Sequence, residues 1–457
     1  MLVNIQYNNS HIEVRVPDDA AVYRTSYKEP EKDARKLVQN ALRNPVNSLP
    51  LSETLRKSGV RSVVIVVSDI TRPIPYADFL DTVLEEIEDA AVPRDNIIIL
   101  IATGMHRPST AAEREYMFGP EVCKRYRIID HRADKPDELV TIRGTSRAGR
   151  PIELNRYFVE ADFRIVTGLV EPHFMAGFSG GRKAICPGLC SLETVKALHG
   201  FTFLNNPSAR NGQLEGNPLH YEALSIARKA DAGFCINLVV DRKHRVVEAV
   251  AGDLEASHDT TCKFVSKHAC PPVKQEKDVV LTSGGGLPLD ASFYQCVKGM
   301  VSCLPAVKRG GIVVSIGSCS EGIGGGEYQN LMHEYSGRWR EFLSHIQSND
   351  NITKDQWQFQ MQTKALQHVG DDNLIFVTEG LSASDLTRLN VNGIHASEGC
   401  IRQRVQELLD GLIYEGRSVA VIPEGPYCAP IVQGPGADPA DQATPHHSEP
   451  ATRSPKD

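Results

Sequence analysis

Five side chains able to do chemistry occupy one kind of position in this chain. Asp69, Arg72, His106, His173 and Lys183 each lie just beyond an apolar run, in loops rich in Gly, Pro, Ser and Thr. A carboxylate, a guanidinium, two imidazoles and an amine together can move protons and bind an anion. Histidine suits proton transfer because its ordinary pKa of about 6.5 lies near neutral pH. The densest stretch is Glu171 to Gly188, E-P-H-F-M-A-G-F-S-G-G-R-K-A-I-C-P-G. Its glycines free the backbone to approach a ligand closely. Lys183 within it suits a phosphate donor, a Schiff-base amine or an attachment point.

The apolar runs that must position these residues read as buried strands: Arg61–Val67 before Asp69, Asn96–Ala102 before His106, and Phe163–Val170 before His173. A helix over Tyr76–Ala91 separates the first two. Ligands of open parallel sheets bind outside the carboxyl ends of the strands, so the five residues are expected to share one site. Residues 1–16 alternate as a β-hairpin, and Glu31–Leu42 reads as a first helix. Leu192–Leu198 reads as a helix with Ser191 at its N-cap and His199 at its C-terminal end, where a capping role is the plain alternative. Cys235–Asp241 and Arg245–Ala251 follow as strands and Leu254–His268 as a helix. Ala269–Asp278 is the linker candidate. The strand–loop–helix rhythm then restarts, with Gln295 and Lys298 three apart on one helical face. The expected fold is α/β in two domains, with the active site in the cleft between them at strand C-terminal ends. The expected division is residues 1–270, residues 276–432 and a disordered tail over 433–457, rich in Pro, Ala and Asp.

At 457 residues the chain is too long for one ordinary domain. A net charge of -7 disfavours a nucleic-acid partner, and no apolar run approaches membrane-spanning length. The N-terminus lacks a basic region and an apolar core, so a cytoplasmic protein is expected. Its eleven cysteines, with no C-x-x-C pair, read as reduced packing residues, Cys186 included.

Single motifs decide little. Gly177–Lys183 misses the nucleotide-binding P-loop, because Arg182 intervenes and Ala184 replaces the metal-binding hydroxyl. No G-x-G-x-x-G follows either early strand, and no H-E-x-x-H is present. A non-redox phosphate- or nucleotide-binding role for Gly177–Lys183 stays open at this point.

Four blocks taken together resemble the nickel-dependent lactate racemase family: Asp69–Pro73 (D-I-T-R-P), Ala102–Ser109 (A-T-G-M-H-R-P-S), Pro172-His173 with Ala176–Lys183, and Tyr294–Gly299 (Y-Q-C-V-K-G). Asp355-Gln356-Trp357 and Val421-Ile422-Pro423 also resemble family positions. The resemblance implies an isomerase that racemises or epimerises a 2-hydroxy acid. It implies a nickel-pincer cofactor, a pyridinium-3,5-bisthiocarboxylate mononucleotide carrying Ni(II), tethered covalently to Lys183. His199 would complete a planar ligand set, a geometry suited to Ni(II). Asp69, Ile70, Thr71 and Arg72 would hold the mononucleotide. His106 and His173 would be the acid/base pair, one on each face of the substrate. Arg72, Gln295 and Lys298 would bind that substrate by charge-assisted hydrogen bonds. Cofactor-synthesis proteins are implied as partners. The family blocks see only the shared hydroxy-carboxylate unit, so lactate, larger hydroxy acids and a sugar acid such as an aldonate, epimerised at C2, all remain open.

Overall fold

A computed structural model describes residues 1–30, 33–349 and 351–432; the tail expected over 433–457 and the start of the helix expected at Glu31 lie outside the described residues. The chain opens with a hairpin, β1 (Leu2–Tyr7) paired antiparallel to β2 (Ser10–Arg15), followed by the short β3 (Ala21–Val22). β4 (Val63–Ser68), β5 (Ile97–Ala102) and β6 (Arg127–Asp130) begin a first sheet. A second hairpin, β7 (Leu139–Thr145) and β8 (Pro151–Asn155), precedes β9 (Phe163–Leu169). The two-residue strands β10 (Pro172–His173) and β11 (Gly177–Phe178) pair antiparallel within the Glu171–Gly188 stretch. β12 (Phe234–Val240) and β13 (Val246–Gly252) complete that sheet.

The first sheet runs β13-β12-β9-β4-β5-β6, parallel throughout except for the antiparallel edge strand β13. Its central strands are near-continuous β-branched runs, V-V-I-V-V-S in β4 and I-I-I-L-I-A in β5, as a sheet covered on both faces requires. Succession from β4 goes outward through β5 and β6 on one side, then returns to β9 on the other. The order therefore reverses between β4 and β9, and the crevice at such a reversal is where open sheets bind ligands.

The second sheet runs β17-β16-β15-β14-β18-β3 and is wholly parallel, with β14 (Lys277–Ser283), β15 (Val307–Ile316), β16 (Leu374–Thr378), β17 (Asn392–His395) and β18 (Val419–Ile422). It reverses between β14 and β18. The two-sheet α/β architecture is the one expected from the sequence.

The N-terminal hairpin lies on the second sheet in space. Val3, Ile5, Tyr7, Ile12, Val14 and Val16 pack against Val279, Leu281, Val314 and Val421 of the second sheet, and β3 pairs with β18. The alternation that makes the hairpin also gives it one apolar face, and the second sheet supplies the cover. Tyr76–Ala91 is likewise not one helix: a 3-10 turn over Tyr76–Asp78 is followed, after Phe79, by the helix Leu80–Asp89. One apolar cluster joins the halves, running from Phe174, Met175 and Leu204 to Phe293, Val297 and Trp357.

Candidate active site

The loop after β4 carries Asp69, and its carboxylate is fully engaged. Oδ1 accepts from the Thr71 hydroxyl at 2.6 Å, and Oδ2 lies 2.5 Å from His106 Nδ1 on the loop after β5. Burial would raise this carboxyl, but the hydrogen bonds from His106 and Thr71 outweigh it and hold it below its ordinary value. An ionised carboxylate only accepts, so His106 Nδ1 carries the hydrogen and Nε2 keeps its lone pair. The ring is about half exposed, at 54 %.

After β9 the chain makes the β10–β11 turn and a 3-10 turn over Gly181–Ala184. Gly177 has φ +78°, and a Cβ there would strike the Gln213 carbonyl, so only glycine lets the 205–217 loop lie against it. Most of the loop N–H groups turn inward: Ser179 N–H donates to Glu171 O, Gly181 N–H to Asn237 Oδ1 and Lys183 N–H to Gly180 O. Those N–H groups are therefore not the open cradle a phosphate needs, which weighs against the phosphate-binding alternative. Arg182 is buried; it donates to the Ala176 carbonyl and meets His258 Nε2 at 2.8 Å. Cys186 is wholly buried, and burial drives its thiol well up, so it packs and does not react.

His173 and Lys183 meet across this turn, Nε2 to Nζ at 2.7 Å. His173 Nδ1 accepts from the Met175 and Ala176 N–H groups, both at 3.2 Å, so its hydrogen sits on Nε2 and points at the lysine. Burial, then the charge of Lys183, then that of Arg72 hold the imidazole well below its ordinary pKa. Burial, then Arg72 and Arg182 do the same to the Lys183 amine. The His173 imidazole is thus set against a lysine amine whose charged form burial disfavours. His106 and His173 consequently rest in complementary states, one offering a lone pair and the other a proton.

His199 ends the helix Leu192–Leu198, as expected, but is more than a cap. Its Nδ1 donates to Val195 O at 2.7 Å, leaving Nε2 without a hydrogen-bond partner among the described residues, and burial pushes its pKa down to about 4. The ring lies tilted against Trp357, centroids 4.9 Å apart; the Trp357 indole N–H donates to the Tyr294 hydroxyl, which in turn donates to Asp355. Among the described residues no group of three or more His, Cys, Asp or Glu could hold a metal. A metal at His199 would therefore bring its other donors with it.

From the second half, the helix Phe293–Ser302 presents Gln295 and Lys298. Gln295 Oε1 is buried without a donor, an open acceptor of the kind a ligand hydroxyl satisfies. Lys298 borders a cavity of about 20 Å³ with Arg72, Glu171 and His173, and burial, then Arg72, lowers its pKa to about 7. Arg72 pairs with Glu171 at 3.1 Å. The structure thus lines one cavity with Arg72, His173 and Lys298, sets Lys183 on His173 and joins Asp69 to Thr71 and His106; Gln295 lies one turn from Lys298 on the same helix, and His199 lies against Trp357. Ile70 packs on the apolar core of the first half. The sequence reading gave no role to Glu171, Asn211 or Trp357; the last was visible only as part of a family block.

The family described as "Lactate racemase N-terminal domain" matches residues 7–212, and "Lactate racemase C-terminal domain" matches residues 273–428. The lactate racemase of Thermoanaerobacterium thermosaccharolyticum is 36% identical over 375 residues, 80% of this chain and 85% of that protein. The lactate racemase of Lactiplantibacillus plantarum is 32% identical over 429 residues, 93% of this chain and 96% of that protein. Among solved structures, the lactate racemase apoprotein from T. thermosaccharolyticum superposes with a TM-score of 0.84, covering 95% of this chain and 100% of that one at 32% identity. A Thermotoga maritima protein shares the fold at 16% identity and a TM-score of 0.63, covering 84% and 97%. Family, fold and coverage agree over both halves: the chain belongs to the lactate racemase family and is an isomerase.

Proposed function

We propose that this enzyme racemises lactate or a closely similar small 2-hydroxy acid, with a nickel-pincer nucleotide attached at Lys183. The observation that carries the proposal is the Lys183–His173 contact, a buried amine 2.7 Å from an imidazole nitrogen at the reversal point of a parallel sheet. Burial and the neighbouring arginines favour the uncharged, nucleophilic form of the amine, so the site suits acylation of Lys183. His199, neutral and with Nε2 free, fits a single imidazole ligand to nickel. When bound, such a group supplies an acceptor for the hydride of C2, a hydrogen far too weakly acidic for a histidine to remove as a proton.

The chain's own residues do the rest. Arg72 and Lys298 bind the carboxylate, and Gln295 Oε1 accepts a hydrogen bond from the substrate. His106 Nε2 takes the hydroxyl proton on one face, while His173 supplies or removes it on the other. Asp69 steers His106 and stabilises its imidazolium form; in this reading it acts on the histidine as well as on the mononucleotide held by Ile70, Thr71 and Arg72. Residues 24–270 form the cofactor-bearing part, and residues 276–432 with the N-terminal hairpin form the part that closes on it and keeps water from the reaction.

The test is loss of optical rotation from enantiopure lactate, by protein produced together with cofactor-synthesis proteins. Racemisation supports the reading; a loaded protein inert toward lactate and toward other chiral 2-hydroxy acids contradicts it.

A further inference from the structure

The cavity beside His173 holds one more clue, in its charges. Three formally charged side chains border it: Arg72, Lys298 and Glu171. Glu171 directly follows the β9 run, on the turn before β10, and its Oε1 lies 3.1 Å from Arg72 Nη1. The pair is largely shielded, with the two side chains 26% and 20% exposed. Two cations therefore face one resident anion, which leaves room for a single further negative charge.

The far wall gives a second, independent indication. Asn211 arrives on the 205–217 loop, latched down by Gly212 N–H donating to Gly177 O at 3.0 Å and by Asn217 Nδ2 donating to Met175 O at 3.0 Å. Its Nδ2 donates across the cleft to Ser302 Oγ at 2.9 Å, and its Oδ1 is buried with no donor among the described residues. A buried acceptor lacking a donor repels an anion and suits a neutral or hydrogen-bond-donating group. The volume, about 20 Å³, admits little more than one water-sized group.

We propose that Glu171 is a specificity-determining residue, the resident counter-ion that restricts the site to 2-hydroxy acids bearing one carboxylate and excludes dicarboxylates. A second carboxylate brought into this cavity meets the Glu171 carboxylate and the Asn211 carbonyl, and like charges in a shielded contact are strongly unfavourable. The inference rests on the racemase reading and deepens it.

The test compares lactate with malate, the same unit carrying a second carboxylate, for the cofactor-loaded enzyme and its Glu171→Gln variant. The wild type is expected to favour lactate in kcat/KM by about a hundredfold or more, and Glu171→Gln to raise the malate-to-lactate ratio at least about tenfold. Calorimetric affinities of the two acids are expected to shift the same way. Equal losses on both acids, with the ratio unmoved, would mean that Glu171 merely props Arg72, and the proposal falls. A wild type that turns over both acids alike overturns it too. If neither these nor other chiral 2-hydroxy acids are racemised, the racemase reading itself fails, and an affinity ratio unchanged by Glu171→Gln then rejects the specificity role separately.

Discussion

Asp69 Oδ2 and His106 Nδ1 lie 2.5 Å apart, joining the loops after two adjacent parallel strands. The buried carboxylate fixes the tautomer of a half-exposed ring and leaves Nε2 as its acceptor. Replacing Asp69 by Asn keeps the shape but removes the charge that stabilises the imidazolium form. Asp69→Asn is expected to lower kcat by about a hundredfold, within the span of general acid–base effects, with Lys183 modified as in the wild type. Steady-state rates and intact mass on the same sample check it; an unchanged kcat would remove Asp69 from the acid–base machinery.

His199, whose Nδ1 is held by Val195 O, is proposed as the protein's ligand to a carried metal. His199→Ala is expected to reduce bound nickel by about tenfold or more while the covalent group stays on Lys183. Metal analysis beside intact mass separates the two. Full nickel occupancy in the variant would reassign the ligand.

Lys298 gives a pH signature. Its amine is lowered to about 7 by burial and by Arg72, so the free site loses an ammonium as pH rises through that region. An anionic substrate needs the charged form, so kcat/KM is expected to fall on the alkaline side near pH 7. The bound carboxylate favours the ammonium, which moves the corresponding limb of kcat to higher pH. Lys298→Arg is expected to abolish the limb in kcat/KM, because a guanidinium stays protonated. A limb that persists unchanged in this variant would assign it to another group.

Much of this site is legible in the primary structure because β4, β5 and β9 are uninterrupted apolar runs with polar loops directly after them. Period and composition suffice for that, and they put Asp69, His106 and His173 on one edge. Contacts between distant segments are another matter. β3 pairs with β18 nearly 400 residues later, and two residues carry no readable strand signal. The edge strand β6 (R-I-I-D) is too short and too polar to stand out. The helix Ala111–Phe118 did carry a signal, the Thr110–Glu113 capping box. Glu171 could not be assigned from sequence, since its meaning comes from Arg72 opposite. Nor could Trp357, whose place in the site comes from its tilted contact with His199.

The central claim is that Lys183 is the anchor of the cofactor and not a phosphate clamp. Intact-mass measurement of protein made together with cofactor-synthesis proteins tests it most directly. A covalent mass increase in the wild type, absent from Lys183→Ala and present in His106→Ala and His173→Ala, is the expected result. An adduct that survives Lys183→Ala, or its absence from a wild type that racemises lactate, would contradict the account.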